Sequence, residues 1–178
     1  IEKDTSINED IERLRLRATS SLMEREDVIV VASISCIYGL GNPKDYRSLM
    51  LHVEVGEERP RRDILKGLVD IQYKRNDYAF ERGTFRVRGD TVEIYPAYEE
   101  QAVRIELWGD EVERISRFDP LTGEIITALD RTAVYPASHY VTERRTIDAM
   151  IPAVRAELAE QLARFRADGR LLEAQRLE

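Results

Sequence analysis

The chain has 178 residues, of which 34% are charged and 43% apolar, and its formal net charge is −7. That balance describes one ordinary domain or two small ones with a real core, and it excludes a surface that attracts nucleic acid or anionic membrane as a whole, although a local basic strip fits within it. No apolar run approaches the roughly 18 residues of a membrane span, no secretory signal pattern is present, and the lone Cys36 can form no internal disulfide, which fits a reducing cytoplasm.

Ser6-Ile7-Asn8-Glu9 reads as a capping box, with Ser6 as N-cap and Glu9 three residues on. Ile7, Ile11, Leu14, Ala18 and Leu22 then recur at helical spacing and form one apolar stripe, with Arg13, Arg15 and Arg17 off that stripe. Solvated helix arginines are the ordinary reading; contact with a phosphate backbone is the alternative. Val28-Ile29-Val30-Val31-Ala32 is apolar on both faces, the pattern of a buried parallel strand. Such a strand needs parallel neighbours and covering helices, so residues 1–43 read as a piece of a larger α/β domain. Cys36 is expected to fill core space at the end of that strand. Gly39-Leu40-Gly41-Asn42-Pro43-Lys44 has the wrong spacing for a phosphate loop, and Pro43 removes an amide such a loop uses.

From residue 44 to 141 the pattern changes to an α+β domain. Asn42-Pro43 opens a short helix, and Leu51, Val53 and Val55 alternate as a strand. Pro60 opens a helix with the stripe Ile64, Leu68, Ile71, which is expected to run to Asn76-Asp77. Thr84–Arg88, Thr91–Tyr95, Val103–Trp108 and Glu111–Ile115 read as an antiparallel meander, with Gly89-Asp90 and Gly109-Asp110 as two-residue hairpin turns. Asp119-Pro120 and Thr122-Gly123 mark a further turn.

Alternation sends Phe85, Val87, Val92 and Ile94 to a core and puts Arg86 and Arg88 together on the opposite, open face, with Arg75 just before the hairpin. Arg104, Glu106 and Trp108 share the outward face of their strand. The first hairpin sets Arg86 opposite Glu93, a pair worth ~0.2–1 kcal/mol, and Arg88 opposite Thr91. The second sets Glu106 opposite Glu113, a repulsive pairing. Ile115 breaks the alternation there, so a bulge is expected. Arginine with tryptophan on a stiff sheet face has the composition of a binding hot spot, and a plain charged surface fits the same pattern.

Beyond residue 142 the helical spacing returns in Ile147, Ile151, Val154, Leu158, Leu162 and Phe165, with Pro152 expected to kink or restart the helix and Gly169 to stop it. His52 and His139 lie far apart, no His/Cys cluster has zinc spacing, and no phosphate loop is present. No catalytic, metal or cofactor residue is assigned, and the chain is not expected to act as an enzyme by itself.

The segments IEKDTSINEDIERLR, VIVVASISCIYGLG, QYKRND, RGTFRVRGDTVEIYPAYEE, DPLTG, YPASHYV and LLEAQRLE resemble, in order and over nearly the whole chain, the B-subunit family of the bacterial UvrABC excinuclease. The resemblance implies an internal fragment in which pieces of a helicase-type (RecA-like) parallel-sheet domain, 1–43 and 142–178, flank an inserted α+β domain, 44–141, that binds the A subunit. It maps that binding surface onto Arg75, Arg86, Arg88, Arg104 and Glu106, and DNA-approaching positions onto Lys3 and Arg15. The full-length family member is a cytoplasmic, helicase-like ATPase of nucleotide excision repair. It uses ATP and Mg, takes damaged DNA from the A subunit and recruits the C subunit. The Walker A loop and the other ATPase motifs are absent from this sequence, so ATP hydrolysis by this segment is not implied. The transcription-repair coupling factor carries a similar A-subunit-binding module, but SCIYGLG and LLEAQRL favour the B subunit. Direct DNA binding by the arginines is the remaining alternative.

Overall fold

The computed structural model describes residues 9–37, 40–141 and 144–178, which fall into two units, one ending at Val141 and one formed by residues 144–178. In chain order the elements are α1 (Glu9–Glu24), a 3-10 turn (Ile34–Ile37), α2 (Pro43–Ser48), β1 (Leu51–Glu54), α3 (Arg61–Asp70), β2 (Lys74–Arg75), β3 (Thr84–Arg88), β4 (Thr91–Tyr95), β5 (Ala102–Trp108), β6 (Glu111–Phe118), β7 (Ile125–Leu129), β8 (Arg131–Val134), α4 (Arg144–Ala167) and α5 (Leu171–Leu177). The fold is mixed, with helices beside a largely antiparallel sheet, and is compatible with α+β.

The meander forms because its turns and its alternation agree. Gly89 and Gly109 adopt φ of 59° and 65°, and each is followed by an aspartate outside the positive-φ region, an arrangement that matches the right-handed twist of the flanking strands. The sheet runs β2-β3-β4-β5-β6-β7, and β1 pairs with β8 in a separate two-stranded ladder. The inward residues Phe85, Val92, Ile94, Val103, Ile105, Val112 and Ile115 meet Ile64 and Leu68 of α3, Ile71 at its C-cap, and Leu51 and Val53 of β1 in one core. The 2-residue period of the strands and the 3.6-residue period of α3 thus bury the same surface from two sides.

Several expectations are corrected. α3 ends at Asp70, and Gln72 takes φ of 72°. That turn brings Lys74-Arg75 alongside β3 as a short parallel edge strand rather than a helix end. β6 runs on to Phe118, and β7 and β8, which carry weaker alternation, extend the structure beyond Ile115. The expected bulge is present, but its consequence differs: Leu107 pairs with Val112 and Glu106 with Arg114, so Glu113 is the extra residue and the repulsive Glu106–Glu113 pairing does not occur.

Residues 28–32 form no strand, and Ile29 and Val31 are exposed, because the described residues provide no parallel neighbour to pair with them. Ser6, Ile7 and Lys3 lie outside the described residues, and the capping-box reading lies there with them. Within α1, Ile11, Leu14 and Leu22 of the apolar stripe are exposed, and the helix docks instead through Leu16, Ser20 and its polar side. Leu16 joins Tyr46, Tyr98, Tyr135 and Val141 in a second, tyrosine-rich cluster. Buried hydroxyls around it are satisfied by backbone: Tyr73 donates to the Tyr135 carbonyl (3.1 Å), and Tyr98 accepts from the Tyr135 amide (3.0 Å). Cys36 is only partly buried, in the 3-10 turn, rather than filling the core. Asn42 caps α2 by accepting the Lys44 amide at 3.0 Å.

In the second unit α4 runs unbroken through Pro152 rather than restarting there. Gly169, at φ of 71°, ends it; its amide donates to Arg166 and the Arg170 amide to Phe165, the paired bonds of a Schellman stop. α5 folds back with Ala174 buried, the Arg170 guanidinium 4.6 Å over the Phe165 ring, and Arg166 paired with Glu178 at 2.9 Å.

Candidate functional site

The sheet face opposite the core carries the charged residues in rows set by the strand register. One row crosses the strands as Arg88, Thr91, Glu106 and Arg114, and the next as Arg86, Glu93, Arg104, Ser116 and Ala128. Side chains directly opposite on neighbouring strands stand ~4.5–5.5 Å apart at Cβ, so each row is a line of mutual contacts.

The second row is organised around Glu93. Arg86 Nε donates to one carboxylate oxygen of Glu93 at 2.5 Å, and Arg104 donates to the other through Nε at 2.8 Å. The Arg86, Glu93 and Arg104 side chains are 16%, 5% and 22% exposed. The open face expected from alternation is therefore partly covered at this row: Glu93 is buried, and the two arginines keep part of their side chains exposed. Phe80, from the 76–83 segment, lies under the Arg86 guanidinium at 4.2 Å, and Phe118 lies under that of Arg104 at 4.5 Å; the two rings stack 6.1 Å apart. Each such cation–π contact contributes ~0.5–2 kcal/mol. A surface-pair figure undervalues the Arg86–Glu93 contact, because breaking a buried pair by removing one partner costs about 3–5 kcal/mol.

The first row is open. Arg88 is exposed and makes no hydrogen bond or ion pair among the described residues. Glu106 is half-buried, with Oε2 3.7 Å from Arg114 and without a hydrogen bond among the described residues. Trp108, on the same face at the end of β5, is 79% exposed. Arg75 sits on edge strand β2 in register with Phe85, so it lies beside the arginine rows rather than within them. Its guanidinium binds Asp77 at 3.0 Å. Arg75, then the Val87 amide, holds the Asp77 carboxyl below the ordinary aspartate range, and Arg88 adds a smaller pull.

The helix arginines are engaged by their own unit. Arg15 donates to the Cys36 carbonyl at 3.2 Å and to Glu12 at 2.8 Å, Arg17 pairs with Glu99 at 2.8 Å, and Arg13 lies 3.7 Å from Glu100. Lys3 lies outside the described residues.

Three members of this surface escape the sequence pattern. Alternation pairs Glu93 with Arg86 alone, because residues 96–101 joining β4 to β5 are no tight turn and leave the second register unset. Phe118 falls beyond the strand end that alternation assigns, and Phe80 reaches the face from a loop.

Architecture and site together define a class: a small α+β module whose most elaborated surface is a polar sheet face rather than a cleft. Residues 51–140 match the family model described as UvrB interaction domain, and the chain belongs to that family. Over its full length it is 67% identical to UvrABC system protein B of Gemmatimonas aurantiaca and 57% identical to that of Natranaerobius thermophilus; over 99% of its length it is 58% identical to that of Streptomyces coelicolor. It spans 25%, 27% and 25% of those three proteins, about a quarter of the length of the curated relatives it matches.

Proposed function

We propose that this chain supplies the surface by which a UvrB-type damage-verification protein docks onto its partner UvrA in bacterial nucleotide excision repair. One observation carries the reading: Arg88, exposed and without a hydrogen bond or ion pair among the described residues, and Trp108, most of whose ring is exposed, stand on one stiff sheet face beside Glu106, where the fold makes little use of them. Charge and aromatic area held rigid at a surface are what a protein partner exploits. The family's description as an interaction domain agrees with this.

The surrounding protein is read by the same likeness. Residues 1–43 and 142–178 belong to a helicase-type domain; the exposed apolar residues 29–32 and the exposed stripe of α1 suit burial against the rest of such a domain. ATP, Mg, damaged DNA, the excinuclease's C component and a cytoplasmic setting belong to the whole protein. No described helix is long and apolar enough to cross a membrane.

The test is calorimetric titration of this chain with purified UvrA, beside Arg88→Glu, Arg75→Glu and the control Arg62→Glu on the exposed side of α3. The wild type and Arg62→Glu are expected to bind alike, and Arg88→Glu to lose tenfold or more, on the order of 1.4 kcal/mol. Equal binding by Arg88→Glu and Arg75→Glu would overturn the assignment of this face.

A further inference from the structure

We propose that Glu93 is a positioning residue for docking: its buried carboxylate, with the rings of Phe80 and Phe118, fixes Arg86 and Arg104 in one presentation to an acidic patch of the partner. The inference rests on the docking reading and adds to it residues that make no contact with the partner themselves.

The bonding pattern carries the argument. Arg86 spends its Nε on Glu93, and Arg104 spends Nε and one terminal amino group. Both terminal amino groups of Arg86 and the remaining one of Arg104 make no hydrogen bond among the described residues. A guanidinium held by Nε keeps the N–H pair on its outer edge, the geometry that pairs with a carboxylate in a bidentate way. The rings fix the guanidinium planes from beneath, and Phe118, fully buried, is itself fixed by the sheet. One carboxylate serves two guanidiniums, so the row keeps a net positive charge and selects an acidic partner surface. Ordering a long side chain at the moment of association costs rotamer freedom, and here the fold has already ordered both.

A purely structural Glu93 would only keep the sheet folded, and kinetics separate the two roles. Partial unfolding lowers the binding-competent fraction and the apparent on-rate. Loss of positioning speeds dissociation from an otherwise competent chain. The experiment measures association and dissociation with purified UvrA for the wild type, Glu93→Gln, Phe80→Leu and Arg88→Glu, with folding of each verified by thermal melting.

Glu93→Gln and Phe80→Leu are expected to dissociate about tenfold faster with the on-rate unchanged. If Glu93→Gln does not fold, Phe80→Leu, which removes one ring and no buried charge, decides alone. Wild-type dissociation in the folded variants, with binding lost in Arg88→Glu, overturns the proposal and leaves docking standing. A fall confined to the on-rate or the active fraction assigns Glu93 a structural role only and also overturns it. Absence of wild-type binding removes the docking reading and this inference with it.

Discussion

Glu12 and His139 meet where α1 joins the rest of its unit: Oε1 of the carboxylate lies 3.2 Å from Nδ1 of the ring. On the other side of the ring, Nε2 lies 2.9 Å from the Thr19 hydroxyl. The imidazole is buried with both nitrogens engaged, so one side chain of the interaction domain holds two residues, two turns apart, on one face of α1. This contact explains why α1 docks by its polar side while its apolar stripe stays exposed.

Burial disfavours the imidazolium and outweighs the pull of Glu12, so the His139 pKa lies below its ordinary 6.5. In the unfolded chain the ring takes up a proton near 6.5, whereas in the folded chain it does so only at lower pH. The stabilisation is therefore full above that value, falls as pH drops from 6.5 towards the folded pKa, and levels off below it. Thermal melts between about pH 7.5 and about pH 5 are expected to show this loss in the wild type, and His139→Gln is expected to flatten that part of the profile. Identical profiles for the two would show that His139 does not contribute.

Leu68 is fully buried where α3 meets the sheet, among Ile64, Ile71 and Phe85. Leu68→Ala should cost about 2–5 kcal/mol, the range for a leucine truncated in a well-packed core. Val69, its neighbour on α3, is exposed, and Val69→Ala should cost well under half of that. Urea denaturation of the two variants, followed by far-UV circular dichroism, checks the difference.

Gly89 occupies the first turn position of the β3–β4 hairpin at φ of 59°, and an added Cβ would meet nothing within 4 Å. Gly89→Ala therefore isolates a backbone effect and should cost ~1–3 kcal/mol without displacing any neighbour. Because the turn sets the register of Arg86 opposite Glu93, a larger loss with altered near-UV signals would mean that the hairpin has slipped.

The hairpins are legible in the sequence because period-2 alternation and Gly-Asp turns are local signals, and β3 and β4 have the residue limits that the pattern predicts. What is illegible is set at long range. The parallel pairing of Lys74-Arg75 depends on the positive-φ turn at Gln72, a residue type that does not announce one. Arg104 reaches Glu93 through a register that no tight turn fixes. The stripe of α1 marks an amphipathic helix, but amphipathicity does not say which side faces the described neighbours; Glu12, Thr19 and Leu16 settle that through His139 and the tyrosine cluster. Of the site, the identity of the arginines is visible in the sequence, and their state is not: Arg86 is clamped by Glu93 with only part of its side chain exposed, while Arg88 is exposed and unclamped.

Trp108 separates docking from stability most cleanly. It stands at the end of β5, two residues beyond Glu106 on the polar face, with the Gly109-Asp110 turn beside it. The fold buries little of the ring, so Trp108→Ala should change stability by no more than about 0.5 kcal/mol. A partner that covers this face would bury most of the indole, and truncating such an anchor costs on the order of 2 kcal/mol in binding. Leu121, in the turn before β7, is also highly exposed but lies in no strand, and Leu121→Ala serves as the control for exposed apolar area alone. Titration with UvrA is expected to weaken for Trp108→Ala and to stay unchanged for Leu121→Ala, while both melt with the wild type. Equal affinity for all three chains would confine the docking footprint to the arginine rows.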